Sequence, residues 1–212
     1  MRMHTLYYSP GAASMVVHWL LIELGIAHEL SLVDFETRAQ KSSAYLALNP
    51  KGVVPTLVID GQPHTEAAAL LVHLADTHPA ARLSPPVDAP LRLEFLRWMF
   101  HLANELQPLF RMWWYPHEPA GEGHEEAVHG ATRARIEAEW SLIDAHLDEH
   151  GPYLLGESPS VADFYLVMLM RWSRNMPRPA TAWPRLEALA GRMKALPSFR
   201  ALYAREGLAE WA

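Results

Sequence analysis

The chain has 212 residues and a formal charge of -6, with 50% apolar and 20% charged residues. These proportions exclude a disordered chain, and the acidic balance argues against a nucleic-acid partner, which needs a basic surface. The lack of cysteine excludes disulfides, thiolate metal sites and a protein-thiol nucleophile.

The first third mixes strand and helix patterns. Residues 4–8 (HTLYY) are short and rich in β formers, and Ser9, Pro10 and Gly11 break the run. Residues 13–24 carry apolar positions at helical spacing and stop at Gly25. Residues 29–33 alternate as a second strand, and 42–48 predict a short helix closed by Asn49, Pro50, Lys51 and Gly52. A third strand is predicted over 53–60, interrupted early by Pro55. A turn at Asp60–Gly61 leads to a fourth short segment. Residues 65–77 predict a helix apolar nearly all round, hence well buried. The order β-α-β-α-β-β-α implies a small α/β layer with one crossover.

Residues 83–90 (LSPPVDAP) read as a linker, and no strand pattern follows. Helices are predicted over 91–112, within 121–150, over 161–175, and near 184–196 and 197–206. The opening residues lack the apolar core of a secretory signal, and no run of about 18 apolar residues occurs. A cytoplasmic protein with no membrane partner is expected.

Several segments carry chemistry. The stretch YYSPGAAS (7–14) joins a strand to a helix, whose free N–H groups attract an anion. A capped turn is the alternative. In NPKGVVPTL (49–57) a proline just inside a strand removes a ladder donor. A cis Val54–Pro55 bond would turn the Val54 backbone toward a peptide-like ligand, whereas a kinked edge strand is the plainer reading. In TEAA (65–68) Glu66 suits the helix dipole and could instead hold an ammonium group. The histidines of His124–His129 stand five apart rather than the four a helical zinc pair needs, so no metal is expected.

These three segments, in this order and spacing, together with PYLLGESPSVADFYL (152–166), resemble the cytosolic glutathione transferases, most closely the bacterial beta-like branch. Within the last segment Ser160 and Asp163 form a capping-box pattern. The resemblance implies a thioredoxin-like α/β domain over 1–80, a linker over 81–90 and an all-helical bundle over 91–212. It also implies a homodimer that uses glutathione as co-substrate. Val54 would pair with the cysteinyl unit through its backbone, with Pro55 cis. Glu66 and the Ala67 amide would hold the γ-glutamyl end. Arg38 aligns with a lysine placed near the glycine carboxylate.

The departures are specific. The cysteine of beta-like members is Ala13 here, the serine of theta- and delta-like members is Ala12, and a histidine near the thiol is Gln107. Ser14, Tyr8 and the first amides of the helix remain as groups to hold a thiolate, and Ser14 is expected to be the main side-chain donor. Activation needs a thiol pKa lowered by roughly one to two units from about 8.5, on the order of 1.4–2.7 kcal/mol. One hydroxyl and a helix N-terminus can supply that range. Residues 112–115 (MWWY) imply either packing or the wall of an apolar pocket, with Trp114 lining it and Trp172 opposite. The resulting expectation is a detoxification enzyme that adds glutathione thiolate to a small hydrophobic electrophile, or reduces a disulfide or peroxide with it. The alternative is a non-catalytic glutathione-binding or interaction module.

Overall fold

The computed structural model describes residues 3–211. Four strands form one sheet in the order β2-β1-β3-β4: β1 (His4–Tyr8), β2 (Glu29–Leu32), β3 (Thr56–Ile59) and β4 (Gln62–Thr65). β1 runs parallel to β2 and antiparallel to β3, and β3 is antiparallel to β4. The parallel pair needs a crossover, and α1 (Ser14–Glu23) supplies it. α2 (Ser43–Leu48) and α3 (Ala67–Thr77) complete the α/β layer. Pro55 explains why β3 starts at Thr56 rather than at 53, since it has no N–H to donate to a ladder.

The chain divides into two compact units. One comprises residues through Ser84 together with those from Lys194 onward, and the other is Pro85–Met193. By its pattern the whole C-terminal stretch is helical, and its last helix, α10 (Pro197–Glu206), groups with the N-terminal unit and packs on α1. This accounts for α1, in which all of Ser14–Leu21 is buried. A helix packed against β1, α3 and α10 has no free face, so Met15, Val16, Val17, Trp19, Leu20 and Leu21 can be apolar around its circumference. Trp19 Nε1 donates to Ser198 Oγ at 2.9 Å, so the buried indole keeps a partner. Gly25 follows with φ 64°, the left-handed residue that closes the helix.

α3 departs from its expected all-round burial. Ala67, Leu70, Leu71, Leu74 and Ala75 form one buried stripe, while Ala69, His73 and Thr77, spaced by four, are exposed. It is a one-sided helix whose outer face happens to include an alanine.

The second unit is helical. α4 (Arg92–His101) runs through a π-helical turn (Leu102–Leu106) into α5 (Gln107–Trp114). α6 (His117–Ala120), α7 (Glu125–His150), α8 (Val161–Trp172) and α9 (Pro184–Lys194) follow. α8 is its centre: every residue from Val161 to Arg171 is buried. The Ser160–Asp163 box forms at its start, with Ser160 N–H donating to Asp163 Oδ2 at 2.8 Å. Among the described residues no helix is long and apolar enough to cross a membrane.

Candidate functional site

Strand register gathers the candidate residues of the first unit. Tyr7 pairs with Thr56, and Thr56 pairs with Thr65. Tyr8 pairs with Leu32 in the parallel direction. The turn leaving β1, the Val54–Pro55 peptide entering β3, the Glu66 corner leaving β4 and the segment carrying Arg38 after β2 therefore share one end of the sheet. Sequence order separates them, and pairing brings them together.

At the β1–α1 turn, Gly11 adopts φ 68° and Ala12 N–H donates to Ser9 C=O at 3.1 Å. Ser14 is fully buried. Its Oγ donates to Ser9 C=O at 3.2 Å and accepts from Ser9 N–H at 3.1 Å. A hydroxyl has one hydrogen, and this one is engaged inside the turn. The donor role expected of Ser14 would need that bond to break. The backbone amides of Ala13 and Ser14 have no acceptor among the described residues, so the start of α1 presents the free N–H groups an anion needs.

Tyr7 and Tyr8 point to opposite faces, as strand geometry requires. Tyr7 packs against Val33, Tyr45 and Val54. Tyr8 is half-buried, its ring edge-on to His18 at 6.0 Å, and its hydroxyl has no hydrogen-bond partner among the described residues.

The Val54–Pro55 peptide is cis. A polar knot that the sequence did not advertise fixes this corner. Tyr45 Oη donates to Val53 C=O at 2.7 Å and lies 3.0 Å from Thr56 Oγ1. Asn49 Nδ2 donates to the same carbonyl at 2.7 Å. Burial pushes the Tyr45 phenol above its ordinary range, against the hydrogen bonds of Thr56 and Asn49, so it stays a donor. The Val53 carbonyl is thereby saturated, whereas the Val54 N–H and C=O have no partner among the described residues. That is an unpaired peptide edge ready for an extended ligand.

Glu66 stands at the entry to α3 with φ 69° and ψ 104°, outside the usual conformations of a non-glycine residue. Its exposed carboxylate accepts from Lys51 Nζ at 2.7 Å. The partnership raises the Lys51 pKa through the hydrogen bond and the charge. Lys51 lies inside a motif already singled out, yet an exposed lysine in a turn gives no sign of which acid it meets. Ala67 follows as the first residue of α3. Arg38 is exposed, with a left-handed backbone (φ 58°) and no ion-pair partner among the described residues.

Two family models match: the glutathione S-transferase N-terminal domain over residues 12–77 and the glutathione S-transferase C-terminal domain over 124–205. The chain belongs to the glutathione S-transferase family. It is 34% identical over 209 residues to the glutathione S-transferase GST-4.5 of Xanthomonas campestris pv. campestris, covering 96% of this chain and 98% of that relative. A glutathione transferase homologue from Sulfitobacter, solved with bound glutathione, superposes with a TM-score of 0.90 at 29% identity, covering 99% of this chain and all of that one. The beta class glutathione S-transferase of Sphingomonas chungbukensis gives 0.84 at 30% identity, over 97% of this chain and 100% of its own. The thioredoxin-like α/β domain and the helical domain of the transferase fold are thus both present.

In the helical unit of this family member, Gln107 opens α5 and its Oε1 accepts a short hydrogen bond from Tyr165. That bond fixes which way the amide points and leaves its NH₂ as the donor face. Trp113 stacks on His129 with centroids 3.5 Å apart, so it is a packing residue. Trp114, at the end of α5, is 46% exposed. Trp172 ends α8, half-buried and edge-on to Phe110 at 5.9 Å. Among the described residues no group of three His, Asp or Glu could hold a metal ion.

Proposed function

We propose that this transferase-family chain binds glutathione along its N-terminal domain and adds the thiolate to a small hydrophobic electrophile. The observation that carries the reading is the convergence, at one end of the sheet, of an unpaired Val54 backbone, an acid at Glu66 and the free amides that begin α1. A tripeptide with an extended middle, an ammonium group and a thiol is complementary to that set. Glu66 and the Ala67 amide take the γ-glutamyl end, Val54 beside cis Pro55 takes the cysteinyl unit, and Arg38 faces the glycine carboxylate. In this reading 1–80 is the glutathione-binding domain, 81–90 the linker and 91–212 the helical part of the chain, whose α10 packs back on α1, with Trp114 and Trp172 on the electrophile side. Gln107 offers an oriented amide donor. The location is cytoplasmic and the work is detoxification. Reduction of a disulfide or peroxide would use the same bound thiolate.

With Ala12 and Ala13 in place of the usual side chains, Tyr8 and Ser14 are the hydroxyls left to the thiolate. The free Tyr8 hydroxyl favours Tyr8 as the main donor, and the internal bonds of Ser14 to Ser9 make Ser14 the second candidate. Tyr8→Phe is expected to raise the pKa of bound glutathione by about one unit, about 1.4 kcal/mol. Below that pKa the conjugation rate with a chloronitrobenzene should fall about tenfold. Ser14→Ala should move the pKa less. Thiolate absorbance against pH for both variants reads this, and a curve moved by Ser14→Ala alone would restore Ser14 as the donor. The same engaged hydroxyl supports the second reading, a glutathione-binding module without transfer activity. Glutathione binding by calorimetry with no conjugation of any tested electrophile would favour the module, and no binding would remove both readings.

We also propose a homodimer. Leu93 and Phe100 on α4, seven residues apart, are 79% and 61% exposed and would be covered by a second copy. Light scattering at micromolar concentration is expected to give about twice 23.9 kDa, and a monomer mass would refute the pairing.

A further inference from the structure

The last helix reaches the start of the first. Glu206, at the end of α10, is 195 residues from Gly11, yet its Oε2 accepts the Gly11 N–H at 2.9 Å. Its Oε1 accepts from His18 Nδ1 at 2.8 Å, the tautomer that a carboxylate partner selects. Both side chains are fully enclosed.

This placement opposes two ordinary preferences. A buried carboxylate loses hydration that a partner must offset, and a carboxylate at a helix C-terminus meets the negative end of the dipole. The His18 Nε2 on the far side of the ring is buried and has no hydrogen-bond partner among the described residues, so the network ends there. Around it stand Tyr8, edge-on to His18, then His28 at 5.3 Å, with Arg205 3.4 Å from His28 Nε2. An apolar residue at 206 would avoid these penalties. What an apolar residue there cannot provide is an acceptor, for His18 and for the Gly11 amide, the latter at the left-handed corner of the turn that leads to the free Ala13 and Ser14 amides.

We propose that Glu206 is a positioning residue for the thiol end of the glutathione site: by holding Gly11 it sets the turn so that the amides of Ala13 and Ser14 address the sulfur. The inference rests on the glutathione reading above. It gives the C-terminal helix a part in the N-terminal domain's chemistry and makes His18 the brace that keeps the carboxylate aimed. His18 touches neither the turn amides nor the ligand in this account.

The test uses the full chain carrying Glu206→Leu, which removes the acceptor, and Glu206→Gln, which keeps an acceptor for Gly11. Four quantities are read well below the unfolding temperature: hydrogen exchange at the Gly11 amide, the pKa of the bound glutathione thiol, and the affinities for glutathione and for S-methylglutathione, which has no thiol to ionise. Glu206→Leu is expected to speed Gly11 exchange at least tenfold and to weaken glutathione about tenfold. S-methylglutathione should weaken no more than about twofold, because the peptide contacts at Val54 and Glu66 remain. The bound thiol pKa should rise by about one unit. Glu206→Gln should stay within about threefold of the wild type in both affinities. If Glu206→Leu does not fold, Glu206→Asp, whose carboxylate is drawn back by one methylene, carries the same readings. Equal weakening of both ligands would make Glu206 a scaffold residue only and overturn the proposal, as would faster Gly11 exchange with unchanged glutathione affinity. Failure of the wild type to bind glutathione would instead overturn the functional reading on which it rests.

Discussion

Replacing Asp163 by alanine is expected to lower the unfolding free energy by roughly 3–5 kcal/mol. The carboxylate is fully buried and satisfies two backbone amides of the helical unit. Oδ1 accepts from Leu154 N–H at 2.9 Å, and Oδ2 accepts from Ser160 N–H at 2.8 Å and from Ser160 Oγ at 3.0 Å. Alanine would leave both amides buried without acceptors at the head of α8, the most enclosed helix of the unit. Urea unfolding followed by circular dichroism measures the loss, and a change under about 1 kcal/mol would show that water replaces the carboxylate.

The same residue gives stability a pH dependence. Burial pushes the Asp163 carboxyl up to about 6 from an ordinary 3.8, against the three hydrogen bonds it accepts. A carboxyl whose folded pKa is raised contributes stability that is fully present below the unfolded value. That contribution is lost as pH rises through the folded value. Between pH 4 and pH 7 the wild type is therefore expected to lose on the order of 2–3 kcal/mol relative to Asp163→Asn, which cannot titrate. Unfolding curves of the two proteins at several pH values give the difference directly, and parallel profiles would refute the shift.

Substituting Glu66 is expected to weaken glutathione by about ten- to a hundredfold, roughly 1.5–3 kcal/mol for a charge-assisted contact. Two features of the corner shape the experiment. Glu66 holds φ 69°, so Glu66→Ala changes backbone preference as well as charge, and Glu66→Gln separates the two. Lys51 shares the carboxylate at 2.7 Å, so either substitution also frees an ammonium group beside the ligand. Calorimetry on both variants, repeated with Lys51→Met, apportions the effect. Affinity within twofold of the wild type in both Glu66 variants would show that the γ-glutamyl end is held elsewhere.

Local patterns determined much of this protein. Breakers at Ser9–Gly11 and Gly25, the Pro55 interruption, the Asp60–Gly61 turn and the proline-rich 83–90 stretch placed the four strands and most helices within a few residues, because turn and cap chemistry is local. The motifs 7–14, 49–57 and 65–68 marked the candidate site because each sits where a strand ends or a helix begins. Tertiary structure decided the rest. Ser14 reads as a free hydroxyl in sequence, but the folded turn engages its one hydrogen with Ser9. Lys51 meets Glu66 across fifteen residues, and Tyr45 and Asn49 lock Val53, through contacts that no period or spacing encodes. The C-terminal helix reads as one more member of a helical half, yet it closes the N-terminal unit and delivers Glu206 to Gly11. A chain of 212 residues can bring positions 11 and 206 together only through the packing of α10 on α1. That packing depends on the shape of two whole helices, so the pairing becomes visible only once both are folded.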